Sequence, residues 1–366
     1  MQLIDKATAQ KKAGQFFVIG IAGTKLDDAT HQLLEYVQPG GVCLFSRNIR
    51  DAAETRKLLD DIRSTLDLEP ILCLDQEGGL VDRLRRIVSP MPAPSIFSRI
   101  EDVSEFGTLI GEIIRLLGFN LNFAPVVDIA YENRSAENNG LYSRTFGRST
   151  GDANQFAGAF LAAMQKAGAL GCLKHFPGLG ASKVDSHEEL PVVDVDDDEL
   201  LSVDLTPYRD LIASDRAHAV MVAHAAYPKS HLQETDQNGK LLPSSLSYNF
   251  VTQLLRKTLG FTGLIFTDDL EMGAILNNYG IADACLRAIT AGNDMLAICA
   301  DADRIRAGFD AVVSQIESGE ITAARIDESL GRINAFRTSL RAPLPFSEER
   351  LSELSTRIDE LKARLN

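Results

Sequence analysis

The sequence predicts a (β/α)8 barrel, the TIM-barrel architecture, in a single domain with a C-terminal helical extension. Three observations predict it. Eight short, nearly continuous apolar runs recur along the 366 residues, as parallel strands covered on both faces should read. Longer amphipathic stretches alternate with them, the pattern of βα units winding one parallel sheet. Ionisable residues stand directly after several of the runs, where barrel strands open onto their C-terminal mouth.

Taken in order, the apolar runs occupy 16–23, 40–46, 70–76, 120–129, 171–176, 218–224, 263–269 and 293–299. Helices are expected over 26–37, 51–66, 101–117, 152–169, 196–214, 248–259, 281–291 and 302–318. Gly118, Gly168, Gly260 and Gly292 stand at the ends of four of them, and glycine best suits the left-handed stop of a helix. Three connections are long, at about 130–151, 177–195 and 225–247. All three follow strands, on the face where function concentrates in such barrels. After Arg341-Ala342-Pro343-Leu344-Pro345 the chain restarts as a charged amphipathic helix over about 347–364, expected to pack on the barrel exterior. The organisation is therefore a barrel over 1–340 and a helical tail over 341–366, with no linker marking a second domain.

Composition narrows the function. With 45% hydrophobic and 24% charged residues, the chain can bury a large core, and global disorder is excluded. A net charge of −14 argues against a nucleic-acid or anionic-membrane surface, which needs a basic field. No apolar run reaches the roughly 20 residues of a spanning helix. Lys11-Lys12 followed by the run at 16–23 imitates a leader, but Gln15 interrupts it and the barrel needs the segment as its first strand. Cys43, Cys73, Cys172, Cys285 and Cys299 are odd in number and form no C-x-x-C pair. They read as buried free thiols in a reducing compartment, so a cytoplasmic location is expected.

The ends of the strands carry the chemistry. The third run ends in Asp75, the fifth in Lys174-His175, the sixth in His224 and the seventh in Asp268-Asp269. One such aspartate reads as a helix cap; groups of both charges from four strands converge on one mouth. In the loop after the fifth strand, Asp185 and His187 are two apart, on the same side of an extended segment. A carboxylate there orients the ring and raises its pKa, making a general acid near neutral pH. The same spacing also serves a loop-stabilising hydrogen bond. Asp268 suits a nucleophile toward an anomeric carbon or a helix cap, a role that fits Asp269 better. His224 reads equally as a site contact or as a core cap. The acidic run at 194–199 lacks the turn glycine of a calcium loop and precedes a helix, whose dipole it suits. Asn133-Arg134-Ser135 matches a glycosylation acceptor that a cytoplasmic chain would not use.

Seven stretches carry a resemblance. They are Gly40-Gly41-Val42-Cys43-Leu44-Phe45-Ser46-Arg47-Asn48, Asp75-Gln76-Glu77-Gly78-Gly79, Asn122-Phe123-Ala124-Pro125-Val126-Val127-Asp128 and Ser143-Arg144-Thr145-Phe146. The others are the Lys174-His175-Phe176-Pro177-Gly178 loop ending in Asp185-Ser186-His187, the strand Gly263 to Leu270 with Asp268-Asp269, and Ala291-Gly292-Asn293-Asp294-Met295-Leu296. In this order, over nearly the whole chain, the sequence resembles family 3 glycoside hydrolases of the single-domain bacterial β-N-acetylglucosaminidase type.

The resemblance implies that Asp268 is the nucleophile and His187, paired with Asp185, the acid/base. It implies substrate contacts at Asp75, Arg83, Arg144, Lys174 and His175. The implied reaction removes terminal N-acetylglucosamine from cell-wall (peptidoglycan) fragments, muropeptides among them. It proceeds with retention through a glycosyl-enzyme, without metal or cofactor, in a monomer. Leu80 stands where an arginine is usual, and Leu179 where the loop usually has histidine. Ala181-Ser182 stand where Asp-Thr is common. A β-glucosidase or glycoside phosphorylase fits the same scaffold, since an imidazole acid/base repels phosphate less than a carboxylate does. A non-catalytic sugar-binding sensor would suit the altered loop at Leu179, but it leaves Asp268, Asp185 and His187 without a purpose.

Overall fold

The computed structural model describes residues 5–130, 140–146, 149–182 and 189–365. Eight strands form a closed barrel: β1 Phe17–Gly20, β2 Gly41–Cys43, β3 Ile71–Leu74, β4 Leu121–Asn122, β5 Leu170–Phe176, β6 Ala219–Val222, β7 Leu264–Asp269 and β8 Met295–Ile298. Each pairs in parallel with its neighbours in sequence, and β8 returns to β1 with Phe17 opposite Leu296. They coincide with the eight apolar runs.

The reason is double burial. Alternate side chains of a strand point to opposite faces. Val18, Cys43, Cys73, Phe123, Cys172, Met221 and Phe266 fill the barrel interior, while Phe17, Ile19, Val42, Leu72, Val220 and Ile265 pack outward with the helices. No position is left for a polar residue until the strand ends. Only the last two residues of β7, Asp268 and Asp269, are half-buried.

The helices Ala52–Thr65, Ile100–Leu117, Ile281–Ala291 and Ala302–Ser318 lie where the amphipathic stretches place them. The Asp51 side chain accepts from the Glu54 N–H and starts the first, satisfying an otherwise orphaned donor. Gly118 stops the second at φ 104°. The stretch at 196–214 differs from the single helix expected. It divides into a turn Asp197–Glu199, a wide turn Leu200–Asp204 and a helix Thr206–Ala213. Pro207 has no N–H to give to the preceding turn, and the Leu205 N–H bonds back five residues to Leu200.

Among the described residues, two longer helices were not anticipated, nor was the single turn Gly273–Leu276. Lys6–Gly14 precedes β1, and Ala323–Ser339 follows the last βα unit. The second closes the base of the barrel. Its Ile333 and Phe336 join Ile71, Leu170, Leu264 and Met295, the residues at or near the strand starts. Its Arg325 donates to the Ile289 and Asn293 carbonyls, and Ser329 and Arg332 donate to the buried Asp294 carboxylate. The helix Glu348–Leu365 lies against Ile100–Leu117, with Arg350 on Glu112 at 2.6 Å and Leu351, Leu354, Ile358 and Leu361 buried. Among the described residues no helix is long and apolar enough to cross a membrane.

Candidate active site

A pocket opens at the C-terminal mouth of the strands. Asp75, Arg83, Arg144, Lys174, His175 and Asp268 all line it, together with Glu77, Phe45, Asp269, Leu179, Cys43 and Cys299. Asp185 and His187 lie outside the described residues.

One wall is a short hairpin, Gln76–Gly78 paired with Val81–Asp82, directly after β3. Buried polar side chains lock it. The Gln76 amide donates to Asp82 at 2.8 Å and accepts from the Arg83 and Leu84 N–H groups. The Asn122 side chain bonds both the N–H and the carbonyl of Gln76. Gly78 turns the chain at φ 97°, where a β-carbon would lie 2.3 Å from the Pro92 carbonyl oxygen, so no other residue fits.

This wall carries a chain of alternating charges. Arg83 meets Asp75 at 3.4 Å, and Asp75 meets Lys174 at 2.7 Å. Lys174 meets Glu77 at 2.7 Å, and Glu77 takes two bonds from Arg144 at 2.7 and 2.8 Å. Burial pushes the Glu77 carboxyl up, but Arg144 and Lys174 outweigh it and hold the group well below the usual carboxylate range. Burial likewise disfavours the Lys174 ammonium, yet Asp75 and Glu77 raise it. The Glu77 carboxylate and the Lys174 ammonium are therefore held in their charged forms, and the chain keeps its donors in fixed positions.

The rest of the lining includes residues of β5 and β7. Lys174 and His175, joined by a cis peptide bond, both face the pocket. The His175 Nδ1 sits 2.8 Å from Asp128, whose other oxygen accepts the Leu179 N–H at 2.7 Å. Asp128 thus fixes the imidazole and the start of the following loop together. Burial pushes the Asp268 carboxyl up, but the His175 and His224 imidazoles outweigh it, and its pKa lies below the ordinary value. Burial pushes Asp269 up to about 7, and its Oδ1 accepts the Glu271 N–H at 3.0 Å. Of the two aspartates, Asp269 makes the turn. His224 is fully buried, bonded to Ser245 at 2.7 Å and to the Asp269 carbonyl at 3.0 Å. It braces the turn behind the pocket rather than lining it.

The pKa of Asp269 sets a stability test. Folding raises it from 3.8 to about 7, so between those pH values the folded state binds more protons than the unfolded state. The contribution is fully present below the unfolded value and is lost as pH rises through about 7. Asp269→Asn keeps the acceptor for Glu271 and removes the titration. Its stability relative to the parent should rise by up to about 4 kcal/mol between pH 4 and 8, measured by urea unfolding at both.

Sequence reasoning gave no role to Glu77, Asp128 or Phe45. Asp128 ends the apolar run at 120–129, the same kind of signal that singles out Asp75, whereas Glu77 stands between Gln76 and Gly78 in the hairpin, where no apolar run points to it. Phe45 forms a pocket wall between two guanidinium groups, Arg47 at 4.7 Å and Arg83 at 5.5 Å from its ring centre. Of the departures, Leu179 and Ser182 line the pocket, and Leu80 projects into solvent at the hairpin tip. Among the described residues no group of three or more His, Cys, Asp or Glu side chains is placed to hold a metal ion.

The chain is similar to known proteins along almost its whole length. It is 30% identical over 341 residues to beta-hexosaminidase A of Pseudoalteromonas piscicida, covering 87% of this chain and 56% of that protein. It therefore spans little more than half of that longer relative. It is 32% identical over 293 residues to a beta-hexosaminidase of Glaesserella parasuis serovar 5, covering 79% of this chain and 82% of the relative. A family 3 beta-N-acetylglucosaminidase from Paenibacillus sp. str. FPU-7 superposes with a TM-score of 0.87 at 31% identity, over 96% of this chain and 68% of that one. The profile described as the glycosyl hydrolase family 3 N terminal domain matches residues 8–336. With a closed parallel barrel, an ionised strand-end aspartate and that match, the chain belongs to glycosyl hydrolase family 3.

Proposed function

We propose that the protein is a retaining exo-β-N-acetylglucosaminidase acting on cell-wall (peptidoglycan) fragments in the cytoplasm. The observation that carries the chemistry is Asp268, a strand-end carboxylate with a lowered pKa that lines the same pocket as the charged wall. The names of the relatives support the N-acetylhexosamine specificity. Asp268 attacks the anomeric carbon and forms a glycosyl-enzyme, which water then hydrolyses. His187, oriented by Asp185, protonates the leaving oxygen and afterwards activates the water. Asp75, Arg83, Arg144, Lys174 and His175 hold the sugar hydroxyls through charge-assisted bonds.

The deciding experiment is turnover of a chromogenic N-acetylglucosaminide with phosphate present and absent. A hydrolase releases free N-acetylglucosamine at the same rate in both. A sugar 1-phosphate formed only with phosphate would identify a phosphorylase, and no turnover would identify a sensor.

The role of His187 has its own test. His187→Ala should slow substrates with poor leaving groups by about 10²–10⁴-fold. A nitrophenyl glycoside should lose far less, because nitrophenol leaves with little protonation. Asp185→Ala should act in the same direction but more weakly, since the ring remains. Equal losses for both substrate classes, with glycosyl-enzyme formation limiting each, would exclude His187 as the acid.

A further inference from the structure

Four of the five cysteines project into the barrel interior, Cys43, Cys73, Cys172 and Cys299. Two of them, Cys43 and Cys299, also belong to the pocket lining, beside Asp269 and Ala297. Cys43 ends β2 in register with Cys73 of β3 on one side and with Gly20 of β1 on the other. Its thiol shares the barrel interior with those of Cys73 and Cys299. Cys73 also reaches the Val42 carbonyl at 3.5 Å. Cys43 thus stands between Cys73 and the strand next to Cys299, and although almost fully buried it is one of the residues lining the pocket.

Reactivity follows thiolate character and access. The Cys299 and Cys73 thiols pull the Cys43 thiol below its ordinary range. Burial pushes Cys73, Cys172 and Cys285 up instead. Geometry then selects the partner. In-register residues on adjacent strands lie about 4.8 Å apart, inside the Cα span that a disulfide bridges. In a closed barrel, inward side chains converge further. Cys299 is separated from Cys43 by β1, roughly twice that spacing and beyond the reach of an unstrained bridge.

We propose that Cys43 is a peroxide-sensitive modification site in the pocket lining, with Cys73 as the cysteine that resolves it. The Cys43 sulfur attacks one oxygen of hydrogen peroxide and the O–O bond breaks. Cys43 becomes a sulfenic acid, and the departing hydroxide leaves as water with the thiol proton. The Cys73 sulfur then attacks the sulfenic sulfur. The S–O bond breaks, a second water leaves with the Cys73 proton, and a disulfide remains. Two thiols lose two electrons, and one peroxide is reduced to two waters.

The test treats the folded, reduced full-length chain with hydrogen peroxide and maps its peptides by mass spectrometry. A Cys43–Cys73 linked peptide should appear first, lighter by two hydrogens and reversed by dithiothreitol. In Cys73→Ser the same treatment with dimedone present should place the dimedone adduct on Cys43. Circular dichroism confirms that each variant is folded. The proposal is overturned if Cys43 stays unmodified, if Cys172 or Cys285 oxidises first, or if Cys43 is found bridged to Cys299.

Discussion

Asp268→Asn should lower turnover by about three orders of magnitude or more while leaving the fold intact. The expectation rests on what the neighbouring carboxyls are doing. Asp75 and Glu77 are bound to Lys174 and to arginines. Asp269 is pushed up to about 7 and makes the turn through Glu271. Among the described residues, Asp268 combines a depressed pKa and a place in the pocket with a position at the end of a barrel strand, whereas Glu77, also depressed, is held by two cations in the hairpin. No described carboxylate nearby is disposed to replace it. A slow fluorosugar substrate should therefore leave its adduct on the peptide carrying Asp268 and on Asp268 within it. An adduct on Asp269 would reverse the assignment of the two.

Glu77→Ala should be the most destabilising single change in the pocket, by about 3–5 kcal/mol in urea unfolding. The carboxylate is buried between the Arg144 guanidinium and the Lys174 ammonium. Removing it leaves two cations facing each other with one counter-charge, Asp75, for Lys174 and none of comparable contact for Arg144 among the described residues. The pH dependence has a definite sign. Folding depresses the Glu77 pKa below its ordinary 4.5, so its contribution is present above about 4.5 and is lost as pH falls through the folded value. The stability gap between parent and variant should narrow in strong acid. A gap that stays constant from pH 7 down to acid unfolding would mean that the charge of Glu77 is not what stabilises the wall.

How far the sequence could be read depends on where each residue is buried. The strands were legible because both faces of each are covered, which forces apolar residues at every position from Phe17 to Gly20 or from Met295 to Ile298. The basal helix Ala323–Ser339 was not. It reaches the core through a thin stripe of Ile326, Leu330, Ile333 and Phe336, and arginines make much of its remaining contact. The stretch at 196–214 has the apolar content of one helix, and only Pro207 marks its division. Asp75, Lys174, His175 and Asp268 stood out as charges directly after apolar runs. Arg83 and Arg144 lie in irregular segments where no periodicity points to them, and only the family resemblance singled them out. Asp128 ends an apolar run as plainly as Asp75 does, but its work is to hold His175 and Leu179, a task that residue type alone does not reveal.

The basal helix also bears on the order in which the molecule can be assembled. β1 has to wait for β8 to complete its ladder, and the floor beneath both arrives later still, with Ile333 and Phe336. A ribosome emits the N-terminal strands long before either partner exists. Contacts joining opposite ends of a chain are slow to form, and unpaired strand edges invite aggregation while they wait. A nascent chain halted ahead of residue 323 would carry a barrel open at its base, with Ile71, Leu170, Leu264 and Met295 exposed to water. Such arrested chains should bind chaperones during synthesis, and release should come only after Phe336 has left the exit tunnel.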